Sequence, residues 1–450
     1  MTGRPALTPL EAWVKTRIGL TPDRDLTSRD LDRHRIDRLR KVLIYARQNS
    51  PFYRDRLSGL ADDFPRGLDD LAAIPFTTAT DLRERSLDLL CVSQSDVARV
   101  VTLPIDDPAV PPRRLYFSDH DLERTVDFFH FGMTTLVRPG AAVLILMPGK
   151  TFGGIGDLLK KALARMNARG VIHGPVTDPD RALDDLEKSR ADCIVGLPSQ
   201  VLGLARHPRG RDLPPGRVKS VLLSADYVPR AVVRELEDRW GARVFEHYGM
   251  TEMGLGGGVQ CQVREGYHLR EADLLFEVVD PVTGAPRADG ETGEVVFTTL
   301  TRRAMPLIRY RTGDLSRFLP GPCPCGTVLP RLDRVSGRVA GRVILGSGDM
   351  LSLPDIDEAL FTIPGLLNYA AGLDAGPGVD RLTVQIYAGR RDRPEILTDV
   401  QKRLLAIPAV QQAVARGRLT LGPLSFSPAD WPTSGTIKRI LKDKRMEPTS

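Results

Sequence analysis

The chain has 450 residues, 42% of them apolar and 27% charged, with a formal net charge of +6. That composition fits a soluble globular protein of two or three domains and excludes a fibrous, low-complexity or disordered chain. The positive excess is spread along helical patterns beside aspartates. Only residues 438–445 form a locally basic run, and no aromatic residues interleave it, so nucleic acid is not an expected partner.

In chain order, residues 1–20 have no continuous apolar core of the kind an export signal needs. Five cysteines without the spacing of a disulfide framework point to a reducing cytoplasm. A long helix is predicted over 30–47, where Ile36, Leu39, Leu43 and Ala46 recur at helical spacing. Asn49-Ser50-Pro51 should stop it, because proline pushes the preceding residue out of the α region. Strands are predicted at 143–146, 192–195, 221–223 and 243–245, with helices at 156–169, 199–205 and 229–240 between them. The apolar run at 141–148 is far short of the roughly 20 residues a membrane span needs, so no membrane partner is expected. Alternating strands and helices predict an α/β fold with largely parallel sheets flanked by helices. After Leu269 the pattern changes to strands joined by turns, at 274–280 and 294–298. This marks a β-rich subdomain over about 269–335 of an N-terminal domain spanning 1–335. Residues 336–450 carry strand and helix patterns of their own and read as a small α+β domain.

Three short segments carry the chemistry. Tyr248-Gly249-Met250-Thr251-Glu252 follows a predicted strand, where ligands of open α/β sheets bind. Its hydroxyl and carboxylate suit a phosphate and a magnesium ion. Tyr310-Arg311-Thr312-Gly313-Asp314 offers a carboxylate held by a glycine turn, a fit for ribose hydroxyls. Gly337-Arg338, followed by Ala340-Gly341, suits a hinge that brings an arginine to a nucleotide. Each alone also reads as an ordinary polar turn.

Together, in this order and spacing, they resemble the AMP-forming (adenylate-forming) acyl-CoA ligases. Asn49-Ser50-Pro51-Phe52-Tyr53-Arg54 and Ile74-Pro75-Phe76-Thr77-Thr78 resemble the phenylacetate-CoA ligase branch. The resemblance implies a mobile C-terminal domain with the active site at its junction with the larger one. It implies that ATP and a small carboxylic acid give an acyl-adenylate, which coenzyme A then attacks. It also implies roles for single residues: Thr251 at the phosphate, Glu252 at the magnesium, Asp314 at the ribose, and Arg338 at the ribose or phosphate. Ser224-Ala225-Asp226 would lie along the adenine. Catalysis would be mainly positioning and electrostatic stabilisation.

Three departures set this chain apart, of which one is harmless: Ala340-Gly341 stands in place of an acidic hinge residue, and glycine there still permits bending. The phosphate-loop position reads Ile105-Asp106-Asp107-Pro108-Ala109-Val110, with neither the glycine nor the hydroxyl that cradles phosphate, and Arg113-Arg114 beyond. Two carboxylates at about 4–6 Å from a phosphate would repel it by several kcal/mol. The lysine position near the C-terminus is Thr436, which carries no charge; Lys438, two residues on, would share its face in an extended segment and is the one candidate to substitute for it. The latter two departures keep two alternatives in view: a non-adenylating descendant that binds a ligand in regulation, and an acyltransferase that uses preactivated substrate.

Cys261, His268, Cys323 and Cys325 lie in and around the predicted β-rich region and offer three thiolates and one imidazole, the donor set of a structural zinc site. Reduced thiols in turns are the alternative. Cys91 and Cys193 sit in apolar surroundings and read as core. Oligomeric state is not legible.

Overall fold

Leu39, Val42, Leu43 and Ala46 form the buried stripe of the helix Ser28–Asn49. Thr27 starts it two residues earlier than the apolar spacing suggests, because its hydroxyl accepts from the Asp30 N–H while the Asp30 carboxylate accepts from Thr27. Ser50 ends it in extended conformation and caps the next helix, Pro51–Arg56. The computed structural model describes residues 6–61, 63–103, 110–376, 378–389, 393–428, 431 and 439–445. The chain folds into two units, each assembled from segments distant in sequence. No helix among the described residues is long and apolar enough to cross a membrane.

The first unit combines residues 1–140, 149–170 and 245–335. An antiparallel sheet of Leu274–Val279, Gly293–Thr299 and Tyr310–Ser316 supplies the expected β-rich part, with Phe276 opposite Phe297 and Phe297 opposite Tyr310. The middle strand is buried along its whole length, with Val295, Val296 and Phe297 at its centre. Tyr310-Arg311-Thr312-Gly313-Asp314 is strand rather than turn, which corrects the expectation from the sequence. Gly313 sits at φ 74°, and the ladder shifts register between Glu294 and Val296. A glycine that looks like a turn signal therefore marks a bulge.

The second unit combines residues 141–148, 171–244 and 336–450. Strands Ala142–Ile145, Cys193–Gly196 and Ser220–Leu223 pair in parallel and are wholly buried, as expected when helices cover both faces. A second sheet pairs Leu366–Asp374 with Asp380–Ala388, and adds Leu419–Phe426 and Leu441–Asp443 in parallel at its edges. One apolar cluster runs from Leu144 and Val221 through Trp240 to Ile356, Tyr369 and Val384. Arg206, 4% exposed, ties the halves of this unit: it pairs with Glu235 at 2.6 Å and donates to the carbonyl of Phe361 at 2.9 Å.

Candidate active site and thiol–imidazole cluster

The strand Arg243–Tyr248 delivers the Tyr248–Glu252 segment, so Tyr248 is its last residue rather than the first of a loop. Gly249 has no substitute here. A Cβ would lie 2.5 Å from the carbonyl of Leu255 and 2.9 Å from the His247 ring. The short turn Thr251–Met253 then buries Glu252 to 2% exposure and leaves Thr251 half-buried.

Within the first unit these segments converge. The Tyr248 hydroxyl donates to Asp314 Oδ2 at 3.1 Å, and the Asp314 N–H donates to the Thr312 hydroxyl at 3.0 Å. The ring of Tyr248 stacks on Tyr267 at 5.9 Å. Glu252 is neutralised from an unexpected quarter: Arg113 Nη1 lies 2.8 Å from Glu252 Oε1 and 3.3 Å from the Tyr310 hydroxyl. Burial, reinforced by the Glu252 charge, pushes the Tyr310 phenol well above its ordinary pKa, so it stays a neutral donor. Arg113 begins the strand Arg113–Phe117, just beyond the altered loop. Its partnership with a carboxylate 139 residues away had no signal in the sequence beyond its position.

The other residues that the family resemblance assigns to a nucleotide belong to the second unit. Ser224-Ala225-Asp226 follows the strand Ser220–Leu223, with Ser224 buried and Ala225 at φ 71°, a left-handed conformation that costs a non-glycine residue on the order of 1 kcal/mol. The Asp226 carboxylate accepts from Arg439 Nε at 2.9 Å. Arg439 also grips Asp357 with both terminal nitrogens, at 2.7 and 2.9 Å. Burial pushes Asp357 up to about 6, against the pull of Arg439. Arg338 is exposed on the short strand Gly337–Arg338. Residues 104–109 and 432–438 lie outside the described residues, so the Asp106–Asp107 loop, Thr436 and Lys438 have no structural account. Arg439, next to Lys438, is the one of this group that sequence reasoning missed.

The second cluster is compact. The ligand atoms of Cys261, His268, Cys323 and Cys325 all lie within 4.8 Å of one another, and all four residues are buried. The two Sγ atoms of Cys261 and Cys323 are 3.8 Å apart, and Cys325 Sγ is 3.6 Å from His268 Nε2. Those two separations match two edges of a tetrahedron with bonds of about 2.3 Å to sulfur and about 2.0–2.1 Å to nitrogen. The backbone N–H of Val263 donates to Cys261 Sγ at 3.4 Å and that of Cys325 to Cys323 Sγ at 3.5 Å. All five cysteines are free.

Comparisons with known proteins bear on the first site. A family model described as AMP-binding enzyme matches residues 164–300. The chain is 31% identical over 340 residues to the phenylacetate-coenzyme A ligase of Thermus thermophilus, covering 73% of this chain and 74% of that protein. It is 28% identical to the Pseudomonas putida phenylacetate-coenzyme A ligase, covering 83% and 85% of the two chains. A crystal structure of 2-hydroxyisobutyryl-CoA ligase, in the postadenylation state with an acyl-AMP, superposes with TM-score 0.78 at 21% identity over 95% of this chain and 94% of that one. At that identity it establishes the α/β fold, while the Thermus relative, above 30% over nearly three quarters of both chains, establishes the family. The chain belongs to the phenylacetate-coenzyme A ligase family of AMP-binding enzymes, the AMP-forming acid–coenzyme A ligases.

Proposed function

We propose that this protein is a cytoplasmic ligase that activates an aromatic or other small carboxylic acid with ATP and transfers the acyl group to coenzyme A. The carboxylate oxygen of the acid attacks the α-phosphorus of ATP and pyrophosphate leaves. The thiolate of coenzyme A then attacks the carbonyl carbon of the acyl-adenylate and AMP leaves. The observation that carries this reading is the convergence of Tyr248, Asp314, Glu252, Tyr310 and Arg113 in one unit. Asp314, fixed by the Tyr248 hydroxyl, presents its carboxylate to the ribose hydroxyls. Thr251 contributes a hydroxyl to the phosphate, and Arg338 a charge to the phosphate or ribose. Ser224, Ala225 and Asp226 flank the adenine, and Lys438 takes the part of the lysine absent at position 436. Magnesium, when bound at Glu252, supplies neutralisation of developing phosphate charge. Arg113, 2.8 Å from Glu252, holds that carboxylate in place. The altered loop at 105–110 slows adenylation by removing phosphate donors, an effect of about 10²–10³ per lost donor. The relatives named above suggest an aryl acid. Mass-spectrometric detection of phenylacetyl-CoA and AMP after incubation with phenylacetate, ATP, magnesium and coenzyme A tests the reading. A full panel of acids giving neither product would refute it.

The four-residue cluster is proposed to hold a structural zinc ion through Cys261, His268, Cys323 and Cys325. The tetrahedral edge lengths support it.

A further inference from the structure

A cavity of about 310 Å³ opens on the first unit, and none of the residues assigned above lines it. Arg38, Lys41 and Tyr45 of the helix Ser28–Asn49 form one wall, Arg124 of the helix Asp119–Met133 another, and Arg302 and Arg303 of the turn after Gly293–Thr299 the third. None of these residues belongs to the Tyr248–Asp314–Glu252 constellation. Such a concentration of cations repels itself unless something balances it. Two of these cations are balanced within the fold, Lys41 by Asp37 and Arg124 by Asp273, which leaves Arg38, Arg302 and Arg303 without an ion pair among the described residues. Asp273 pairs with Arg124 and Arg270, Asp37 pairs with Lys41, and Asp121 accepts from the backbone N–H groups of Arg303 at 2.8 Å and Ala304 at 3.0 Å.

Arg302 is the exception that points to a ligand. It is 8% exposed, yet its Nη1 is buried with no hydrogen-bond partner among the described residues. A buried guanidinium with an unused edge is costly unless a planar or tetrahedral oxyanion meets it. Its side chain stacks on Phe117 at 5.1 Å, which fixes the plane it presents. Burial, reinforced by neighbouring Arg270, lowers its pKa to about 10 despite the counter-pull of Asp121 and Glu252, so the group is charged at neutral pH and under-compensated.

We propose that this cavity binds a small phosphate-bearing anion, with Arg302 as the buried contact and Arg38, Lys41 and Arg303 as the outer ring. Several cations around one buried fork favour a multiply charged oxyanion over a lone carboxylate. Val42 and Leu300 give the cavity an apolar strip for the rest of the ligand. The site also abuts the turn that carries Glu252. A Cβ on Gly254 would lie 3.2 Å from Arg302 Nη2, and the Thr125 hydroxyl donates to the Gly254 carbonyl at 2.9 Å. An occupied site therefore steadies Arg302 against that turn.

Isothermal titration calorimetry of the full chain at low salt tests this with two probes, inorganic pyrophosphate and adenosine 3′,5′-bisphosphate. Saturable binding of at least one is expected, weakening as salt rises. Preference for one probe assigns the phosphate to an inorganic or a nucleotide source. Arg302→Gln should weaken binding about tenfold or more, as loss of a charge-assisted bond does. The double variant Arg38→Glu/Lys41→Glu, confined to the more accessible wall, should do the same. It decides alone if the buried substitution fails to fold. No saturable heat with either probe, or binding that the surface variant leaves unchanged, overturns the site. Because binding is read directly, the outcome does not depend on ligase activity.

Discussion

Glu252 and Arg113 offer the sharpest perturbation of the active-site reading. Their charged atoms approach to 2.8 Å, with the Glu252 side chain 3% exposed and that of Arg113 25% exposed. With charge centres about 4 Å apart and an effective dielectric near 20, the attraction is about 4 kcal/mol. Desolvation of the carboxylate and the exposed quarter of the arginine take back roughly half, leaving a net coupling of about 2 kcal/mol. Arg113→Ala should therefore destabilise the protein by about 2–3 kcal/mol, because it strands a buried carboxylate. Glu252→Gln should cost less, and the double variant little more than Arg113→Ala alone. Urea unfolding of the four proteins, followed by circular dichroism, closes the cycle. A coupling below about 0.5 kcal/mol would show that the pair is incidental and that Glu252 is balanced by something else.

Three further outcomes are expected. Protein purified without added zinc should carry close to one equivalent, and Cys323→Ser/Cys325→Ser should lose it; metal content unchanged in that variant would remove the idea. Burial pushes Asp121 up, but the His120 ring 3.5 Å away and hydrogen bonds from the N–H groups of Arg303 and Ser118 outweigh it and take the carboxyl from 3.8 to about 2, a difference of about 2 kcal/mol. With the folded value depressed, this stability is present above about pH 4 and is lost as pH falls towards 2, so Asp121→Asn should lose most stability at neutral pH and little in acid. A deficit independent of pH would contradict this. The segment 337–341 is proposed as a hinge for residues 336–450, and any swing must break the contact of Arg439 with Asp226, while Asp357 travels with Arg439. Arg439→Ala should accelerate limited proteolysis there by about tenfold, and an unchanged rate would separate the two features.

Much of this architecture could be read from residue periodicity. The parallel strands of the second unit are short, apolar and separated by amphipathic helices, so their type and order follow from spacing. Tyr310–Asp314 misled because Gly313 serves a strand bulge, and bulges and turns use glycine for the same backbone freedom. The Cys/His set was legible from residue type, since few other roles demand three thiols and a histidine around one β region. Arg113 and Arg439 were not, because their partners lie 139 and 213 residues away and one arginine among many carries no mark of where it will fold. The anion cavity was invisible for a related reason: its residues come from three separate elements, and only packing leaves Arg302 buried with an unused edge.

The central claim is that this chain makes acyl-adenylates. ATP–pyrophosphate exchange across a panel of carboxylic acids measures that step directly, run beside a variant with residues 105–110 rebuilt as Thr-Ser-Gly-Ser-Thr-Gly and Thr436→Lys. Acid-dependent exchange by the unmodified protein is expected, slower than the rebuilt variant by at least about 10²–10³. No exchange above background with any acid, in a protein that still binds AMP, would contradict it and leave a nucleotide-binding descendant in its place.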